Sequence, residues 1–244
     1  MPDVVYPKIN DERHTLFFFM SLKPINLSKN EKKHRLQDYK TSLTQLKRLL
    51  RPSWNVILCE NTIDSAKLDL GEVLDIDLSG FKLARLTENS GTQNKGIGEL
   101  DMMKNGLDLH RDSILSSRTV SYLSGRRLIP NEYLFDRAES MKASALISNP
   151  DFIYLDGEIA AVEKREMFND MFFTMTSHTF VKYASFFHEN RTKLIELGIG
   201  SEQNLYNFIR QEKIDYEWIN QLGLIRRERK KILGLFTKDR IHIC

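Results

Sequence analysis

Apolar positions fall along the chain in two alternating rhythms. Thr15 to Met20 is a short continuous apolar run, Leu16-Phe17-Phe18-Phe19-Met20, ended by Ser21-Leu22-Lys23-Pro24, and it reads as a strand buried on both faces. Ser28-Lys29-Asn30-Glu31 then has the form of a capping box, and Leu36, Leu43, Leu46 and Leu50 recur with the period of a helix that Pro52 stops. Asn55 to Glu60, with Val56-Ile57-Leu58-Cys59 at its centre, predicts a second buried strand, and Lys82 to Leu86 a third. Leu100, Met103 and Leu107 give the following segment a helical stripe, and Thr119 to Leu123 supplies a fourth strand. Strand, helix, strand in this order predicts a parallel crossover and an α/β, Rossmann-type sheet flanked by helices.

After Pro130 the segments lengthen. The pattern predicts a helix over Asp136 to Ile147, a strand at Phe152 to Leu155 and helices across Glu163 to Phe187. A further helix opens at Ser201-Glu202 and carries Leu205, Phe208 and Ile209. The basic run Arg226-Arg227-Glu228-Arg229-Lys230-Lys231 reads as a solvated helix face. No repeat or low-complexity linker divides the chain, so one domain over 1–244 is expected: a ligand-binding half at about 14–130, a helical second half at about 131–225 and a basic tail at 226–244.

A chain of 244 residues with 41% apolar content can bury a large core. Its net charge of only +3, from 36 basic and 33 acidic residues, argues against a dedicated nucleic-acid binder. Two cysteines, Cys59 and Cys244, make no disulfide framework and favour a reducing, cytoplasmic setting. No export signal or membrane span is evident in the sequence.

Two stretches carry candidate chemistry. Asn94-Lys95-Gly96-Ile97-Gly98-Glu99 closes a loop with two glycines and opens a helix, and Ser124-Gly125-Arg126-Arg127 ends the fourth strand. A lysine beside glycines at a helix start and a guanidinium at a strand end suit a diphosphate. Lys95, Gly96, Gly98, Ser124, Gly125 and Arg126 are therefore candidate binding residues, joined by Ser21, Glu60 and Asn61 at the carboxyl ends of the first two strands. Strand alternation lets only one of Arg126 and Arg127 serve such a site, and Arg126 is the choice. Gly96 and Gly98 could equally let a helix pack, and Glu99 could answer only the helix dipole. His14, His34, His110, His178, His188 and His242 lack ligand spacing.

The order of these motifs resembles the small nucleotide-sugar-dependent glycosyltransferases with a GT-A-like fold that build capsules, lipopolysaccharides or viral glycans. Met171-Phe172-Phe173-x-Met175 with Phe180 and Tyr183, then Ser201-Glu202-x-x-Leu205-Tyr206-x-Phe208-Ile209 and Leu222-Gly223, extend the likeness over roughly residues 14 to 225. The resemblance implies transfer of a sugar from a nucleoside-diphosphate donor to a hydroxyl of a glycan or lipid-linked glycan. It makes the second half the acceptor half and Glu202 the catalytic base. Such enzymes hold the diphosphate through a metal bound by an Asp-x-Asp pair at the end of the fourth strand, where this chain has Ser124-Gly125-Arg126. Arg126 is then expected to replace the ion, and no metal is expected to be required. Asp156 and Glu158 remain a possible magnesium or manganese pair, with Asp75-Ile76-Asp77 the weaker one. A sugar nucleotidyltransferase, or a silent nucleotide- or sugar-binding subunit, is the alternative. The basic tail would permit peripheral contact with an anionic membrane.

Overall fold

The computed structural model describes residues 10–24, 27–62, 69–86, 94–148, 152–155, 158–161, 168–219, 222–232 and 235–243. Its centre is a seven-stranded sheet built from β1 (Asn10–Met20), β2 (Trp54–Glu60), β3 (Lys82–Arg85), β4 (Ser117–Ser124), β5 (Ala145–Ser148), β8 (Asn169–Thr176) and β9 (Tyr216–Ile219). The order is β3-β2-β1-β4-β8-β5-β9. β1 pairs in parallel with β2 on one side and β4 on the other, whereas β8 is antiparallel to both β4 and β5. The expected α/β class and flanking helices are therefore present, as a mixed sheet.

Helices cover both faces. α1 (Lys29–Leu49), α2 (Leu70–Leu74) and α5 (Tyr133–Ser140) belong to one side, and α3 (Lys95–Leu109), α4 (Arg111–Leu115), α6 (Ser177–Glu196) and α7 (Ser201–Gln211) to the other. The run in β1 divides accordingly: Leu16, Phe18 and Met20 enter the α1 and α5 core, while Phe17 and Phe19 enter the α3 and α6 core. Burial on both faces is why this strand is continuously apolar. An aromatic ladder crosses the second core, with Phe19 and Tyr122 centroids 4.4 Å apart, Tyr122 and Phe173 4.8 Å, and Phe173 and Tyr183 5.8 Å. Arg191 of α6 then clasps Asp101 of α3 through two hydrogen bonds of 2.8 Å.

The first half follows its sequence pattern closely. Ser28 and Glu31 make the reciprocal capping box, and Leu43 and Leu46 are buried. Three later expectations need correction. The segment Asp136 to Ile147 splits: α5 ends at Ser140, Met141 takes an extended ψ of 132°, and Ala145–Ser148 becomes β5 with all four residues buried. The expected helices across Glu163 to Phe187 give way at Asn169–Thr176 to strand β8, and a helix starts only at Ser177 behind the Thr176 cap. A short apolar run buried on all sides does not distinguish strand from helix by period. The basic run is a strand as well, β10 (Ile225–Ile232), paired antiparallel with β11 (Leu235–Ile243). This hairpin joins the body through the Leu128 and Ile225 bridge. Phe152–Leu155 is β6, as expected, in a separate ribbon with β7 (Glu158–Ala161).

Candidate functional site

Strands β1 and β4 are neighbours whose outgoing connections head toward opposite edges of the sheet, β1 leading to β2 on one side and β4 to β5, beyond β8, on the other. Open α/β sheets hold ligands at such a switch point, outside the carboxyl ends of the strands. An open cleft of about 310 Å³ lies there. Its walls include Ser21 after β1, Ser124 and Arg126 at the end of β4, Lys95 and Glu99 in the first turns of α3, and Arg35 and Tyr39 from α1.

The cleft is cross-braced. Arg35 Nη1 donates to the Ser21 carbonyl at 2.8 Å, the Ser21 amide donates to the Tyr39 hydroxyl at 2.9 Å, and Ser21 Oγ donates to Asn61 Oδ1 at 3.0 Å. Burial pulls the Arg35 guanidinium below its ordinary pKa, partly offset by Tyr39, and the Arg126 charge lowers it further. Arg35 Nε is buried without a hydrogen-bond partner among the described residues. Cations held together in this way favour an anion between them.

Of the nine residues expected from the sequence to bind ligand, Ser21, Lys95, Ser124 and Arg126 line the cleft. Arg127 is not among its walls, in line with one arginine of the pair serving the site. Gly125 supports the site: its amide donates to the Phe19 carbonyl at 2.9 Å, and an added Cβ would lie 2.3 Å from that oxygen. Glu60 is fully buried, its carboxylate accepting from the amides of Leu22 at 3.1 Å and Thr62 at 2.9 Å, so it ties two loops together. Asn61 is buried beside it.

Gly96, at the start of α3, has a packing role. An added Cβ on Gly96 would lie 2.5 Å from the Ser201 amide nitrogen, so this glycine lets the starts of α3 and α7 meet. The Gly96 amide donates to Asn94 Oδ1 at 3.0 Å and the Gly98 amide to the Asn94 carbonyl at 3.1 Å. Those donors already have partners, which leaves Lys95 and Glu99 as the residues of this motif that reach the cleft; the Lys95 side chain is 79% exposed and lies 3.3 Å from Glu99.

A group of carboxylates borders the same region. Glu99 accepts from the Tyr122 hydroxyl at 2.9 Å, and Asp170, at the start of β8, accepts from Ser201 Oγ. Burial, then the Glu99 charge, push the Asp170 carboxyl up to about 7, with Ser201 and Lys95 opposing and Glu202 adding to the shift. Glu202 is exposed on the first turn of α7 and is not a wall of the cleft. Arg35, Tyr39 and Asp170 escaped the sequence reading. The first two share a helix face at i, i+4 spacing, and Asp170 lay inside a segment expected to be helical.

At the end of β4 the donor set does not suit a divalent cation. Ser124 and Arg126 flank a glycine whose side-chain position is filled by backbone, and a guanidinium repels an ion. Among the described residues no three His, Cys, Asp or Glu side chains cluster as metal ligands. Asp75 and Asp77 are exposed and paired with Lys40 at 2.5 Å and Lys47 at 3.0 Å. Asp156 lies outside the described residues, as does the side chain of Glu158. No described helix is long and apolar enough to cross a membrane.

No protein-family model and no curated sequence matches the chain. Solved structures do. A protein assigned as a nucleotide-diphospho-sugar transferase from Desulfovibrio desulfuricans G20 superposes with a TM-score of 0.50 at 13% identity, over 85% of this chain and 79% of that one. The 4-diphosphocytidyl-2C-methyl-D-erythritol synthase of Anaerococcus prevotii DSM 20548 gives a TM-score of 0.53 at 11% identity, over 86% and 88%. The chain has the nucleotide-diphospho-sugar transferase fold. At these identities the likeness concerns the fold.

Proposed function

We propose that the chain is a glycosyltransferase that moves a sugar from a nucleoside-diphosphate donor to a hydroxyl of a glycan or lipid-linked glycan. The observation that carries this reading is the convergence of Arg126, Arg35 and Lys95 on one cleft at the switch point of the sheet. A leaving diphosphate gains negative charge as its bond to the sugar breaks, and two guanidiniums with an ammonium stabilise that charge without an ion. Ser21 and Ser124 offer hydroxyls to phosphate or ribose oxygens. In an inverting displacement the acceptor oxygen attacks the anomeric carbon, its proton passes to a carboxylate, and the sugar–phosphate bond opens. Glu202 is the base that the resemblance implies, and Glu99 and Asp170 are the carboxylates nearer the cleft.

The second reading, a sugar nucleotidyltransferase, is favoured by the likeness to the diphosphocytidyl-methylerythritol synthase, which shares the fold. One experiment separates them. The chain is incubated with a panel of uridine, guanosine, cytidine and thymidine diphosphate sugars, and in parallel with the nucleoside triphosphates plus sugar 1-phosphates. Glycosyltransfer predicts release of nucleoside diphosphate in the first set and no pyrophosphate in the second. Pyrophosphate release in the second set overturns it. Binding of a nucleotide without turnover in either set identifies a silent binding subunit.

A further inference from the structure

Helices α6 and α7 form a hairpin around Gly198, whose φ is 66°. They close tightly through Phe208, which lies 5.1 Å from Tyr183 and 5.5 Å from Phe186 between ring centroids. Beside that contact the facing surfaces turn from aromatic to amide, and a second pocket, open to solvent, lies between the helices. Asn190, Asn204, Asn207 and Gln211 contribute to its wall, with Phe186 and Ile199 among the apolar groups and the exposed Lys193 as its one cation. None of these residues lines the switch-point cleft.

The amides of the wall present both donors and acceptors. Asn190 Nδ2 donates to the Phe186 carbonyl at 2.8 Å; a carbonyl can only accept, so the amide orientation is fixed and Asn190 Oδ1 is left as an acceptor. Asn204 is completely buried. Its Nδ2 donates to the Tyr183 hydroxyl at 3.4 Å, and its Oδ1 has no partner among the described residues. A buried amide oxygen without a donor is costly, because it has given up water and gained no partner. Asn207 Oδ1 accepts from Gln203 Nε2 at 3.2 Å, which leaves the Asn207 amide hydrogens to donate.

Acceptors, donors and an apolar surface thus meet in a space suited to one small ring. A phosphate or carboxylate lacks the hydrogens that Asn190 and Asn204 require. A hydroxyl both donates and accepts, and the C–H face of a sugar packs on apolar and aromatic groups. We propose that this pocket binds one uncharged sugar ring or a polyol of similar size, as a site distinct from the switch-point cleft. The site does not depend on which nucleotide chemistry the cleft performs.

The test uses the full chain and saturation-transfer NMR with the methyl glycosides of glucose, galactose, mannose and N-acetylglucosamine. At least one should bind with a Kd of about 1–10 mM, the range open to a single small ring. Glucose 6-phosphate should bind no more tightly than methyl glucoside in about 0.5 M salt, which screens the exposed Lys193. Asn190→Ala and Asn207→Ala, at half-buried positions, should each weaken binding about fivefold or more with an unchanged unfolding temperature. Uridine diphosphate, whose own binding is measured separately, should not displace the glycoside. No binding by any glycoside up to about 100 mM, about tenfold above that range, overturns the proposal, because the pocket then holds only solvent. Displacement by uridine diphosphate, or unaltered affinity in both variants, overturns it too by locating the sugar elsewhere. Failure of uridine diphosphate itself to bind would count against the donor reading alone.

Discussion

Arg35 and Arg126 contribute to one wall for different structural reasons, and that difference sets what each substitution should do. Arg126 extends from the end of β4 into the cleft wall, whereas Arg35 also bonds the Ser21 carbonyl. Arg126→Ala should therefore lower affinity for nucleoside diphosphate and cost roughly 2–4 kcal/mol in the transition state, the scale of a lost electrostatic stabiliser, without changing the unfolding temperature. Arg126→Lys should recover part of that loss, since an ammonium cannot reproduce the planar fork. Normal kinetics in Arg126→Ala would remove it from the site. Asp170 makes a separate prediction from its raised carboxyl. Between the ordinary value of 3.8 and about 7 the folded chain holds a proton that the unfolded chain has lost, so this group's contribution to stability falls as pH rises through that window. The limiting slope for one proton is about 1.4 kcal/mol per pH unit. Buried His14, whose pKa burial lowers, acts in the opposite sense below its ordinary 6.5. Comparison with Asp170→Asn isolates the carboxyl: urea titrations at pH 5 to 8 should show the variant gaining on the parent as pH rises. A constant difference across that range would refute the raised pKa.

At the scale of elements, two glycines let backbones approach and so hold the cleft in shape. Gly125 lets the turn after β4 bond to the end of β1, and the nearest atom to an added Cβ is the immovable Phe19 carbonyl. Gly125→Ala should destabilise the chain by about 1–3 kcal/mol or more and weaken nucleotide binding as well. Gly96→Ala should part the starts of α3 and α7 and cost a similar amount; calorimetric melting checks both, and unchanged melting temperatures would show that the neighbouring loops give way freely. The sequence placed Lys95, Ser124, Arg126 and Ser21 at one end of the sheet, because strand order and switch point follow from alternating strands and helices. It did not reveal Arg35, since a cation at i−4 to a tyrosine on a polar helix looks like any solvated face. Nor did it reveal Asp170, because Met171-Phe172-Phe173 is buried on both sides and carries no period that marks it as a strand. Gly96 was visible as a glycine, but its neighbour, Ser201, is 105 positions away and no local pattern points to it.

Over the whole molecule, the two halves of the sequence contribute to one sheet, β8, β5 and β9 extending the parallel set past β4. This arrangement brings the antiparallel β8 beside the strand end where a metal-binding pair would stand in the resembling enzymes, and it delivers Asp170 and Ser201 to that edge along with Glu99. Cations from α1, α3 and β4 line the cleft together with Glu99, while Asp170 and Glu202 lie toward the start of α7. Charge is thus sorted across the site: positive where a diphosphate would leave, negative where a hydroxyl would lose its proton. If Glu202 is that base, Glu202→Gln should leave nucleotide binding intact and lower turnover about a hundredfold or more. If it only opens α7 favourably to the helix dipole, the same change should cost about 1 kcal/mol of stability or less, with turnover per folded molecule unaltered. The same sorting makes a prediction about metal. If guanidiniums take the place of an ion, donor binding and turnover should persist in excess EDTA, and added magnesium or manganese should change kcat by less than about twofold, well under 1 kcal/mol in the barrier. Activity abolished by EDTA and restored by either ion would transfer the charge-stabilising role from Arg126 and Arg35 to a metal and return attention to Asp156 and Glu158.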